Sequence, residues 1–111
     1  MKKQIHEPLV GRAQDIHQLA AYQKDSIVST RVIQKPTGNV TFFAFDQGQE
    51  LSEHTAPFDA LLTVFDGEVS VMVADKWHSM KQGEAIILPA NIPHAVKAVT
   101  PFKMMLTMIR S

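Results

Sequence analysis

Two histidines, His54 and His94, are the residues of this 111-residue chain whose settings suit chemistry. His54 opens the apolar run of Gly48–Gly67, G-Q-E-L-S-E-H-T-A-P-F-D-A-L-L-T-V-F-D-G, and His94 holds the matching place in Gly83–Ala98, G-E-A-I-I-L-P-A-N-I-P-H-A-V-K-A. An imidazole titrates near pH 6.5 and binds zinc, iron, copper or nickel through a ring nitrogen. Two imidazoles on one inner surface therefore suit metal ligation, acid–base work, or hydrogen bonding to a small ligand. Nearby carboxylates add little. Strand alternation turns Glu53 away from His54, and Asp59 leans away from the Ala60 side. The pairs Asp46–Glu50 and Glu50–Glu53 fall on expected turns. The sequence holds no Gly-rich phosphate loop and no Ser/His/Asp signature.

The two stretches resemble the paired motifs of the cupin superfamily. The first motif runs Gly, five residues, His-x-His, three or four residues, Glu, six residues, Gly; Gly48, His54 and Gly67 fall on it. The second runs Gly, five residues, Pro-x-Gly, two residues, His, three residues, Asn; Gly83, Pro89 and His94 fall on it. The motif's second His is replaced by Ala56, its Glu by Ala60, its second-motif Gly by Asn91 and its Asn by Ala98. In a typical cupin three His and one Glu hold a metal. The resemblance thus implies a double-stranded β-helix and two of four ligands, His54 and His94. It leaves room for a divalent transition metal (zinc, iron, nickel or manganese) held weakly or not at all.

Three readings of the pair stand side by side. One is an incomplete metal site finished by water or a substrate carboxylate. Another is a metal-free pocket in which the imidazoles bind a ligand or move a proton. The last is structural, with the rings bonded to backbone or to each other. The ring nitrogens are expected within roughly 5 Å, the span that two ligands of one metal allow. Around them Phe43 or Phe45, Ala56, Ala60, Leu62, Val96, Ala98, Met104, Leu106 and Met108 are expected to line an apolar interior. Such an interior with two polar points suits a small-molecule site, and methionine adapts to irregular ligands. The same residues equally suit a filled core.

The elements that must position this pair are mostly strands. Ile27–Gln34 is rich in β-branched residues, and Val40–Asp46 follows a Thr37-Gly38-Asn39 turn, so the two suit a hairpin. Phe43 and Phe45 share one face of the second strand, Phe42 and Ala44 the other. Asp66-Gly67 reads as a two-residue hairpin turn. Val69, Val71 and Val73 share a face, and Ala74-Asp75-Lys76 turns the chain back into the strand of His78, read as exposed or half-buried. Pro89 and Pro93 fix the loop before His94. Lys103 on the last strand, Phe102–Arg110, is expected to point out and Met104, Leu106 and Met108 in. Arg12–Tyr22 is the one helix candidate; it would bury Ile16 and Leu19 on the outside of the barrel and leave His17 at the surface.

Many short strands with turns every eight to twelve residues describe an all-β barrel or sandwich. The resemblance narrows this to a cupin-type double-stranded β-helix, a small jelly-roll barrel over residues 27–111, with an N-terminal arm and short helix over 1–26. One domain of this length buries a core without staples, and the absence of cysteine excludes disulfides. Residues 1–35 carry six Lys/Arg against three acids, residues 36–111 five against eight, and no Lys or Arg stands between Pro36 and Asp75. No basic face for nucleic acid is expected. No membrane span is expected, and Gln4–Pro8 supplies no apolar segment of a signal peptide, so the cytoplasm is the expected location. The function expected is binding of a small-molecule ligand in the barrel; the alternative is a metal-dependent oxygenase, isomerase or decarboxylase. The expected assembly is a homodimer.

Overall fold

Alternation between apolar and polar residues runs through most of the chain, and in a computed structural model, which describes residues 4–110, it builds strands. These are β1 (Ile27–Lys35), β2 (Gly38–Phe45), β3 (Glu50–His54), β4 (Asp59–Asp66), β5 (Glu68–Val73), β6 (Lys76–Lys81), β7 (Ala85–Leu88), β8 (His94–Ala98) and β9 (Phe102–Ile109). They form a five-stranded sheet, β1-β2-β9-β4-β7, and a four-stranded sheet, β3-β8-β5-β6, with every pairing antiparallel. The all-β cupin-type barrel expected from sequence is the fold found.

The inner faces meet in one core. Phe45, Leu62, Val71, Phe102 and Met104 are fully buried there, and the Phe45 and Phe102 rings stack at 4.7 Å between centroids. Ala60, Leu62 and Val64 project inward from β4, as do Val69 and Val71 from β5, so the strand periods read from sequence hold. A second cluster, Ala20, Phe42 and Ala44, lies on the outer face of the five-stranded sheet beneath Ile16 and Leu19.

Two expectations change. Arg12–Tyr22 is no α-helix; its ordered part is a 3-10 turn, Ile16–Leu19, with Asp15 accepting from the His17 backbone N–H. Ile16 and Leu19 do cover the outer sheet face, but four residues make too few turns for a helix to propagate. Asp66-Gly67 closes no hairpin: β4 and β5 lie in different sheets, and the bend carries the chain between them. Gly67 has φ +75°, and a Cβ there would stand 2.0 Å from the Pro101 carbonyl oxygen, so the position requires glycine. The tight two-residue hairpin instead falls at Ala74-Asp75 between β5 and β6. The last strand, β9, is central in its sheet, and the edge of β1 is partly met by the Gln4–His6 segment through His6 N–H to Val32 O (2.8 Å) and Gln34 N–H to Gln4 O (2.7 Å).

Candidate functional site

His54 ends β3 and His94 begins β8, and the two are direct cross-strand partners. Strict alternation would put Leu51 and His54 on opposite faces. A register shift between them breaks the alternation, so Leu51, paired with Val96, packs on the core while His54 stands beside His94. Pro89–Pro93 delivers His94, with Asn91 in the motif's glycine position at φ +64°. Asparagine tolerates that left-handed backbone, so the substitution keeps the turn. The Asn91 N–H also donates to Ala56 O (2.8 Å), and the Asp59 carboxylate accepts from the Ala90 N–H (2.9 Å). Asp59 thus ties the two histidine-bearing loops together and takes no part in the pair.

The His54 and His94 Nε2 atoms lie 3.1 Å apart, with ring centroids at 4.3 Å. Each Nδ1 meets a backbone carbonyl two residues earlier: His54 with Ser52 O (2.7 Å) and His94 with Ile92 O (3.2 Å). A carbonyl only accepts, so both Nδ1 atoms carry the hydrogen and both Nε2 lone pairs face each other. Two bare lone pairs repel, so a cation between them, a proton or a metal ion, makes the contact favourable. His94 is 8% exposed, and its burial pushes its pKa down, with the neighbouring His54 adding to the effect and the Ile92 carbonyl opposing it. His54 is exposed.

The donor set fits two positions of a transition-metal shell and no more. Two metal–nitrogen bonds of about 2.1 Å spanning 3.1 Å enclose roughly 95°, an ordinary angle between neighbouring ligands. The positions that would complete the set are Ala56, in the loop after β3, and Ala60, buried between Leu88 and Met108. Among the described residues no third His, Cys, Asp or Glu joins the pair. A metal caged by protein alone does not fit this site.

The remaining sequence-predicted residues divide between core and mouth. Phe45, Leu62 and Met104 are fully buried and fill the core; Leu106 is partly buried against it. Phe43 and Met108 instead line an open concavity of about 480 Å³ whose wall includes Arg31, Ser29 and Thr41, residues that sequence reasoning passed over. A signal for them exists. In β1 the apolar Val28 and Val32 face outward under the arm, which leaves Ser29 and Arg31 on the other face, opposite Phe43 and Thr41. His78 pairs with the inward Val71 and is half-buried, and it stands apart from the pair.

A two-sheet β-barrel with a histidine from each of two Gly-bounded motifs is the architecture of cupins. Residues 41–110 match the cupin domain family, and the chain belongs to it. The fold is similar to that of a conserved protein of unknown function from Streptococcus pyogenes, with TM-score 0.92 and 28% identity over 99% of this chain and 96% of that one. A cupin 2 conserved barrel domain protein from Leptotrichia buccalis is 42% identical with TM-score 0.81; the match covers 84% of this chain but 45% of that longer one. A cupin superfamily protein from Desulfitobacterium hafniense shares the fold at 21% identity and TM-score 0.86. No curated protein matches the chain.

Proposed function

We propose that this cupin is a small-molecule-binding barrel whose polar point is the His54–His94 pair, and that it takes a divalent metal only weakly, together with its ligand. The convergence of the two Nε2 atoms at 3.1 Å, with each Nδ1 facing a carbonyl, carries this reading. A pair held by carbonyls on its far nitrogens is aimed before anything binds. With Ala56 and Ala60 supplying no donor, at least two positions around any bound metal fall to solvent or to the ligand. Isothermal titration of zinc into protein without a histidine tag tests it. Weak one-site binding is expected, reduced by more than about tenfold in His54→Ala and in His94→Ala. Binding unchanged in either variant would sink the reading.

A metal-dependent cupin enzyme of the oxygenase, isomerase or decarboxylase type is the second reading. The roughly 95° angle that the 3.1 Å spacing gives a metal favours it. Stoichiometric metal in purified protein, lost in both variants, would select it.

The assembly proposed is a homodimer. The support is a row across the outer face of the five-stranded sheet, Ile33–Val40–Thr107–Leu61–Ile87, apolar but for Thr107, in which Leu61 is 42% and Ile87 62% exposed. No helix of the described residues is long and apolar enough to cross a membrane.

A further inference from the structure

Arg31 stands out among the strand residues because it borders a concavity. It is exposed on the edge strand β1, opposite Thr41, and also borders the Gln4–Pro8 segment. No carboxylate lies within ion-pairing distance of it among the described residues, and no hydrogen bond engages its guanidinium there. Its surroundings are nevertheless shaped. Ser29, Asn39, Thr41, Phe43 and Met108 join it around the concavity of about 480 Å³. Phe43 and Met108 pack on the core and form an apolar floor, and Asn39 and Thr41 add an amide and a hydroxyl at the rim.

Arg31 and His54 both lie on edge strands, Arg31 on β1 of the five-stranded sheet and His54 on β3 of the four-stranded sheet.

We propose that this concavity is a carboxylate subsite, in which Arg31 holds the carboxylate of a small organic acid while Phe43 and Met108 carry its apolar body. The proposal rests on the reading of the barrel mouth as a small-molecule site and names the ligand class. A planar guanidinium matches a carboxylate with two parallel hydrogen bonds. A phosphate fits less well, because the concavity offers one cation and no Lys or second Arg in its wall. The Ser29 hydroxyl, and the Thr41 hydroxyl once turned from its 3.4 Å bond to Asn39 Oδ1, donate to the remaining carboxylate lone pairs.

Phenylacetate and its neutral isostere phenylacetamide separate charge recognition from apolar contact. In ¹H–¹⁵N NMR titrations at pH 7, phenylacetate is expected to shift the amides of Ser29, Arg31, Thr41 and Phe43 saturably. Phenylacetamide should bind about tenfold more weakly or worse, and Arg31→Gln should bring phenylacetate down to that level with spectrum and melting temperature kept. Equal binding of the two probes, or binding unchanged in Arg31→Gln, overturns the subsite. So does the absence of saturable shifts from both. Shifts centred on His54 and His94 and indifferent to Arg31→Gln overturn it too, yet leave the barrel-mouth reading standing; the zinc titration judges that reading separately.

Discussion

At the residue scale, hydrogen-bond direction decides what each histidine does. His54 and His94 each turn Nδ1 to a backbone carbonyl and bring their Nε2 atoms together. His17 is the contrary case. Its Nδ1 lies 3.1 Å from the Asp15 carboxylate and its Nε2 3.2 Å from the Phe65 carbonyl, so both nitrogens face acceptors and only the imidazolium satisfies both. The Phe65 carbonyl first, then Asp15, pulls the His17 pKa above 6.5, while burial and Lys103 oppose the rise. A raised native value gives stability fully present below the ordinary histidine range and lost as pH climbs through the higher native value. Lys103 donates to His17 O and lies against the Tyr22 ring, and the Tyr22 hydroxyl donates to Asp66 (2.6 Å), so these groups also anchor the arm. Protection of the Gln18–Ala20 amides, taken as the exchange rate relative to the unfolded chain at the same pH, is therefore expected to be lower at pH 8.5 than at pH 6, and the difference should vanish in His17→Gln. Equal protection at both values in the native protein would refute the clasp. The sequence showed His17 as a surface residue and could show no more, because Phe65 lies 48 positions away.

At the element scale, the turns determine which sheet each strand joins. Asp66-Gly67 looks like a hairpin signal because Gly at positive φ serves hairpins and inter-sheet bends alike. What separates them is the close approach of Pro101 and Phe102, a tertiary fact with no local signature. Gly67→Ala is expected to cost about 3 kcal/mol, from a left-handed backbone and a clash with unyielding main chain, read by thermal or urea unfolding. A cost under about 0.5 kcal/mol would contradict this placement. The bulge in β3 was likewise invisible, since alternation alone cannot place Leu51 and His54 on one side. The short motifs, by contrast, were legible: their glycine and proline spacings fix the loops that carry both histidines, and Asn91 preserves the one turn whose glycine is missing.

At the scale of the whole molecule, the inner faces make a filled core and the outer face of the five-stranded sheet is half dressed. The arm covers Phe42, Ala44 and Met105, while Leu61, Ile87 and Ile109 stay 42–63% exposed. The homodimer proposed on this face predicts that Ile87→Asp yields a monomer by light scattering after size exclusion, with its fold kept. A native protein that is already monomeric at tens of micromolar would contradict it. The barrel class was readable from strand density and motifs. The division of its interior was not. Phe43 and Phe45 alternate onto one face equally, and only the sheet's depth sends Phe45 into the core and Phe43 to the mouth.

The protonation of the His54–His94 pair decides what the site can hold, and long-range ¹H–¹⁵N NMR of the imidazole rings reads it directly. Above pH 7, His54 and His94 should both appear as Nδ1–H tautomers, with both Nε2 resonances moving together as zinc is added. An Nε2–H tautomer at either residue, or zinc moving one ring and not the other, would contradict a convergent pair.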